Sequence, residues 1–307
     1  ALFYGGMVRK KNVLNTMAYS FVAAAVVSIA WVAVGYSLAF GEGNAFIGGL
    51  DKVMLAGIGT DALSGSIPEI LFVIFQMTFA IITVAIISGS IAERMKFGAF
   101  VAFIAIWVVV VYAPITHWVW GGGWLGNDGA LDFAGGTVVH INSGVAGLVA
   151  AYMLGKRMGL GRESMAPHNL ALTVIGASLV WVGWFGFNGG SALGANGSAG
   201  YALVVTQVAA AAAAVAWLIT EKVVRGKSSV LGGASGAVAG LVVITPAAGF
   251  VTVGGAMAMG LIGGVVCFLG ITALKRALKA DDSLDAFGLH GVGGIVGAIL
   301  TAFFASP

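Results

Sequence analysis

The chain has 307 residues, of which 59% are hydrophobic and only 9% charged, with 49 glycines and a formal net charge of +3. Soluble domains carry about 25% charged residues, so a chain this poor in charge cannot coat a globule with a solvated surface, and its solvent is lipid rather than water. The single Cys267 excludes an internal disulfide framework and a cysteine-built metal site.

Ala1 to Met7 is apolar but too short to span and reads as the end of a helix. A crossing needs about 20 mostly apolar residues. Such runs follow at Val13 to Phe40, Ile70 to Ile91, Phe97 to Thr116, Phe133 to Gly155, Asn169 to Asn188 and Ala199 to Thr220. Ser228 to Leu274 is uncharged and too long for one crossing, and Thr245-Pro246-Ala247-Ala248-Gly249 divides it, because Pro and Gly disfavour helix continuation. Ala286 to Phe304 is the last run. Transmembrane β-strands are short and alternating, so these long uniform runs predict an all-α polytopic membrane protein. The chain starts inside an apolar segment and stops just after a span, which reads as a fragment of a longer protein.

Fourteen of the 15 basic residues fall in alternate loops, and only Lys52 lies in the opposite set. Positive residues mark cytoplasmic loops, which predicts a multi-pass cell-membrane protein with its basic loops inside and Asp128 and Asp132 outside. Basic residues distributed in this way are topology signals rather than one patch, and argue against nucleic-acid binding.

His140 is followed by Gly144 and Gly147, and His290 by Gly294 and Gly297, each near the start of a span. The predicted topology runs the first span inward and the second outward, the mark of an inverted repeat with the functional pathway between its halves. The halves are expected at about 1–157 and 167–307 of a single transmembrane domain. Ionisable groups inside a span are functional candidates by default. A neutral imidazole donates through one nitrogen and accepts through the other, so the two histidines either face one another across a pore or bond separately to neighbouring helices. Two histidines without nearby Cys or carboxylate ligands in the membrane argue against a metal site, and no cofactor is implied. Asp132 suits the cap of the helix after it. Phe75 and Phe79 share a helix face, and Trp31, Trp118 and Trp124 read as interfacial anchors or packing. His117 and His168 read as structural residues at helix ends. Gly232, Gly236 and Gly240 repeat every fourth residue, a spacing that lets helices approach closely.

The segment Asp132-Phe133-Ala134-Gly135-Gly136-Thr137-Val138-Val139-His140-Ile141 resembles the signature of the ammonium transporter (Amt/Mep/Rh) family. Trp118-Val119-Trp120-Gly121-Gly122-Gly123, Gly183-Trp184-Phe185-Gly186-Phe187-Asn188-Gly189-Gly190-Ser191 and Asp285-Ala286-Phe287-Gly288-Leu289-His290-Gly291 stand in the family's order and spacing, and the resemblance runs from Ala1 to Pro307. It implies an ammonium-transporter-like fold of eleven helices with an inverted five-helix repeat, here lacking most of helix 1 and all of helix 11, assembled as a homotrimer with one pore per subunit. It implies an external recruitment site at Phe79, Trp120 and Ser191 with Phe75 close by, a phenyl gate at Phe79 and Phe187, pore histidines at His140 and His290, and Asp132 as the acidic residue behind the site. Trp120 and Ser191 favour the Amt/Mep branch over the Rh branch.

Aromatic faces attract a cation, a hydroxyl accepts one of its N–H groups, and an unpaired ion in the apolar centre is very costly. The expected path is therefore NH4+ capture outside, deprotonation near the gate and passage of NH3 past the imidazoles. If the proton follows by a separate relay, transport is electrogenic; otherwise it is neutral. Competing expectations are an ammonium sensor whose signalling domain lies outside this chain, and passage of another small neutral gas. An enzyme is disfavoured, because no nucleophile–base pair with an orienting third group is visible. The resemblance also implies a PII-type signalling protein as a cytoplasmic partner.

Overall fold

The computed structural model describes residues 1–306 and is built of helices in chain order. These are α1 (Leu2–Met7), α2 (Lys10–Phe40), α3 (Glu69–Ile91), α4 (Phe97–Asn127), α5 (Gly136–Leu154), α6 (Leu170–Gly189), α7 (Gly197–Arg225), α8 (Val230–Ile244), α9 (Val253–Leu278) and α10 (Phe287–Phe304). Among the described residues, eight of them are long and apolar enough to cross a membrane; α8 is apolar but shorter. The long uncharged run is divided at Thr245–Gly249 as expected. Helices α4, α7 and α9 run past their predicted ends, to Asn127, Arg225 and Leu278. A two-residue antiparallel hairpin, Leu63–Ser64 with Ile67–Pro68, was not foreseen in the α2–α3 loop.

Local chemistry sets many of the helix ends. Side-chain oxygens of Asn169, Asn196, Ser229 and Thr252 accept the backbone N–H three residues on, which starts α6, α7, α8 and α9. Gly226, in the left-handed region at φ 81°, ends α7. Helices α2, α4, α5, α6, α9 and α10 each contain one π-helical turn, and those in α5, α6 and α10 carry His140, Phe187 and His290. Such turns rotate the side chains that follow and recur at functional sites.

Close packing depends on small residues. A Cβ on Gly240 would lie 2.4 Å from the Ala209 carbonyl, and one on Gly236 would lie 2.6 Å from Trp217 Cβ. The glycine spacing along α8 therefore seats it on the alanine run of α7, and Gly260 and Gly264 of α9 seat on the same run. Trp31 is fully buried and donates to the Val73 carbonyl (3.2 Å), so it is a core residue rather than an anchor. His117 is buried with one ring nitrogen on the Ala39 carbonyl and the other on the Asn44 carbonyl, and His168 bonds the Val8 carbonyl. Both histidines are structural, as expected.

Three arginines of the basic loops enter ion pairs, and those of Arg94 and Arg157 are buried. Arg157 makes a forked pair with Asp281 (2.8 and 3.1 Å), and Arg94 donates to the carbonyls of Ser90, Gly155 and Asp281. Arg9 bridges Glu93 and Glu163. Burial would push the Asp281 carboxyl up, but the Arg157 bonds and the charge of Arg94 hold it below the usual carboxylate range. The contacts of Arg94 and Arg157 join residues of the two sequence halves.

Candidate functional site

The two histidine-bearing helices start alike. Asp132 stands eight residues before His140, and Asp282 eight before His290. Asp132 accepts four backbone N–H groups, from Gly135, Gly136, Thr137 and Val138, at 2.6–3.1 Å. Asp282 accepts two, from Ala286 (3.1 Å) and Phe287 (2.7 Å). A carboxylate at a helix start satisfies donors that have no partner within the helix and meets the positive end of its dipole. Burial pushes the Asp132 carboxyl up, with the four N–H bonds opposing. The capping role read from sequence holds for Asp132; its counterpart at Asp282 was missed, although the shared spacing signals it.

The helices α5 and α10 then cross backbone to backbone. A Cβ on Gly144 would lie 2.3 Å from the Gly291 nitrogen, and one on Gly294 would lie 3.0 Å from the Ile141 nitrogen. Each glycine four residues after a histidine thus rests on the residue just after the other histidine. The second glycines do the same toward other helices: Gly147 faces Ser90 and Gly297 the Val243 carbonyl. This close crossing brings the imidazoles face to face, with Nδ1 of His290 3.2 Å from Nδ1 of His140. One Nδ1 donates to the other, so the rings are opposite tautomers. One Nε2 is then an acceptor and the other a donor. His140 is fully buried and its Nε2 has no protein partner.

Aromatic rings continue the line from His140. It stacks on Trp184 (centroids 5.3 Å apart, planes 13°) and Phe187 (6.0 Å, 19°). Phe187 meets Phe79 at 4.5 Å with planes tilted by 41°, so the two phenyls close the line without lying parallel. Phe79 in turn touches Phe75 (4.8 Å, 71°) and Trp120 (5.7 Å, 89°). Beyond them lies a cavity of about 290 Å³ lined by Phe75, Gln76, Trp120, Asp132, Phe133 and Ser191, among others. The Trp120 indole donates to the Asp132 carbonyl (2.7 Å), which fixes its ring at the cavity wall. Ser191 donates its proton to the Phe187 carbonyl (2.9 Å), leaving its oxygen free to accept. On the other side of the phenyl pair, a cavity of about 80 Å³ is lined by His290, Trp184, Tyr4, Phe3 and apolar neighbours.

The structure therefore brings together every site residue named from sequence: Phe75, Trp120, Asp132 and Ser191 around the larger cavity, with Phe79, Phe187, His140 and His290 in series behind it. Sequence reasoning missed three supporting residues. Trp184 was quoted only as part of a motif, yet it stacks on both His140 and Phe187 and donates to the Thr245 hydroxyl (2.8 Å). Asn188 donates to Thr206 (2.9 Å) within the same buried polar group. Gln76, a polar residue in an apolar span beside two phenylalanines, was visible as an exception and not used.

Comparison with known proteins gives this arrangement a family. A family model described as the Ammonium Transporter Family matches residues 1–307. The chain is 57% identical over 308 residues to a Bacillus subtilis protein named ammonium transporter, covering all of this chain and 76% of that relative. It is 53% identical over 313 residues to one from Aquifex aeolicus, covering all of this chain and 72% of that relative. Among solved structures, Saccharomyces cerevisiae Mep2 superposes with a TM-score of 0.91 at 41% identity, covering 99% of this chain and 71% of that one. A structure described as a sensor Amt protein superposes with a TM-score of 0.94 at 34% identity, covering 99% of this chain and 78% of that one. The chain belongs to the ammonium transporter family.

Proposed function

We propose that this chain moves ammonium across a membrane by binding NH4+ in the aromatic cavity, removing its proton at the phenyl pair and passing NH3 along the two imidazoles. The observation that carries this reading is the serial order of unlike environments. A cavity with Trp and Phe faces and a free Ser191 oxygen is followed by two phenyls in contact, and then by paired imidazoles in an otherwise apolar surround. Each environment suits one form of the substrate. Aromatic faces stabilise a cation by about 0.5–2 kcal/mol per contact, depending on desolvation. The Asp132 carboxylate adds negative potential at the cavity while its oxygens stay committed to backbone N–H groups. Behind the phenyls a bare ion would forfeit hydration worth tens of kcal/mol on idealised estimates, whereas NH3 needs only a donor and an acceptor. The opposite tautomers of His140 and His290 offer both.

With the basic loops cytoplasmic, the aromatic cavity faces outside and uptake runs inward down the electrochemical gradient. Homotrimeric assembly and docking of a PII-type protein on the basic end belong to the same reading and rest on the family likeness alone. The named curated relatives are transporters, which favours transport over sensing despite the likeness to a sensor structure.

The test is uptake and current in proteoliposomes for His140→Ala, His290→Ala and the double variant. Ammonium flux in the double variant should fall to near background or lose its selectivity against K+. Flux and selectivity equal to those of the parent would sink the pore assignment.

A further inference from the structure

We infer that Gln76 is a hydrogen-bond partner for the cation in the aromatic cavity, and that it sets how strongly the cavity prefers ammonium to methylammonium. The inference rests on the reading of that cavity as a cation site. Gln76 lies on α3 next to Phe75 and three residues before Phe79, and it lines the cavity with Trp120 and Ser191. Its side chain is only 6% exposed, yet it makes no hydrogen bond within the protein, and its Oε1 is buried without a partner. An unpaired buried carbonyl is costly, and native structures keep few of them without a functional reason.

The neighbouring polar groups are already committed. Thr78 and Thr83 donate to carbonyls of their own helix, and Asp132 spends both carboxylate oxygens on four backbone N–H groups. Trp120 spends its indole N–H on the Asp132 carbonyl. That leaves the Ser191 oxygen and the Gln76 amide to meet a cation that carries N–H donors on every side. A terminal amide can turn to present its oxygen or its NH2 group, and a cation selects the oxygen. A bond from a charged donor is also stronger than one from water.

Ammonium satisfies two acceptors in any orientation, since all four of its substituents donate. Methylammonium must hold its methyl group away from both, so a second acceptor penalises it. Gln76→Leu replaces that acceptor with an apolar wall of similar size, which suits a methyl group and not an N–H. Apparent ammonium affinity for uptake should fall about 10-fold or more, as for a lost charge-assisted bond. Methylammonium affinity should change by only a few fold, narrowing the preference between them. Gln76→Glu keeps an acceptor oxygen and should bind both cations at least as well as the parent. In ammonium-free detergent, Gln76→Leu should melt at or above the parent temperature, because it removes an unsatisfied polar group.

A purely structural Gln76 predicts the opposite pattern. The Leu variant would then melt lower, both substrates would weaken by the same factor, and Glu would perform no better than Leu; that pattern overturns the inference. Trp120→Leu, assayed in parallel, separates the two levels of the argument. Unchanged affinity in Trp120→Leu removes the cavity as a cation site, and this inference with it. Weakened affinity in Trp120→Leu with unchanged affinity in Gln76→Leu removes the Gln76 inference alone.

Discussion

The starts of α5 and α10 are the same device in two settings. Both use an aspartate eight residues ahead of a histidine to cap a helix that begins with a π-helical turn. Around Asp132 the neighbours are a tryptophan, phenylalanines and a cavity of about 290 Å³. Around Asp282 they are ions: Lys275 donates to the Asp282 carbonyl and pairs with Asp285 (2.6 Å), and Arg157 and Arg94 hold Asp281 beside it. The space there is about 10 Å³. At the Asp282 end a lysine ammonium donates to the carbonyl that, at the Asp132 end, is served by the Trp120 indole. One motif thus yields an end where a cation from solution has somewhere to go and an end already filled by tethered cations.

The sharpest way to break this comparison is to remove the carboxylates. Asp132→Ala leaves four backbone N–H groups unpaired, which should cost roughly 4 kcal/mol or more of stability, read by thermal or chemical unfolding in detergent, and should abolish uptake. Asp282→Ala orphans two groups and should cost about half as much; equal losses would mean that the two caps are not the graded pair described. Asp281→Ala, comparable in effect to Asp132→Ala, strands the buried Arg157, and breaking a buried ion pair from one side costs about 3–5 kcal/mol. That variant should unfold more easily, while whatever remains folded keeps the parent's apparent affinity for ammonium at the far cavity. Gly144→Ala tests the crossing that both ends share. Its Cβ meets main chain rather than a flexible side chain, so about 1–3 kcal/mol should be lost, with reduced flux in the folded fraction.

The smallest effect concerns Asp285, which burial pushes up to about 6, with Lys275 opposing. Its folded value lies above the usual 3.9 or so of an unfolded aspartate. The folded state therefore binds more protons between about pH 4 and 6, and stability falls as pH rises through that window. Asp285→Asn should flatten this slope. A slope that persists in the variant assigns it to another group.

The spans were legible because charge-free runs of about 20 residues have few alternatives in water, and the twin histidines because their glycine spacing is repeated. The reason for that spacing was not legible. Only the crossing shows that Gly144 answers Gly291 and that Gly294 answers Ile141. The basic loops could be sorted to one side from sequence, but Arg157 and Asp281 are 124 residues apart, and nothing local announces that they meet. The π-helical turns that aim His140, Phe187 and His290 leave no comparable mark, since one extra residue in a helical turn does not disturb an apolar run. Gln76 was readable as an oddity, but its lack of a partner is a statement about everything packed around it.

Where α5 and α10 touch, Gly144 lies directly on the main chain of Gly291, and at Gly294 the Ile141 side chain packs beside the main-chain contact. The gap between the paired imidazoles is accordingly ruled chiefly by the polypeptide itself. Anyone seeking to retune this conduit for a bulkier cargo would gain little by swapping residues at the junction, and should reshape the walls on either side of it.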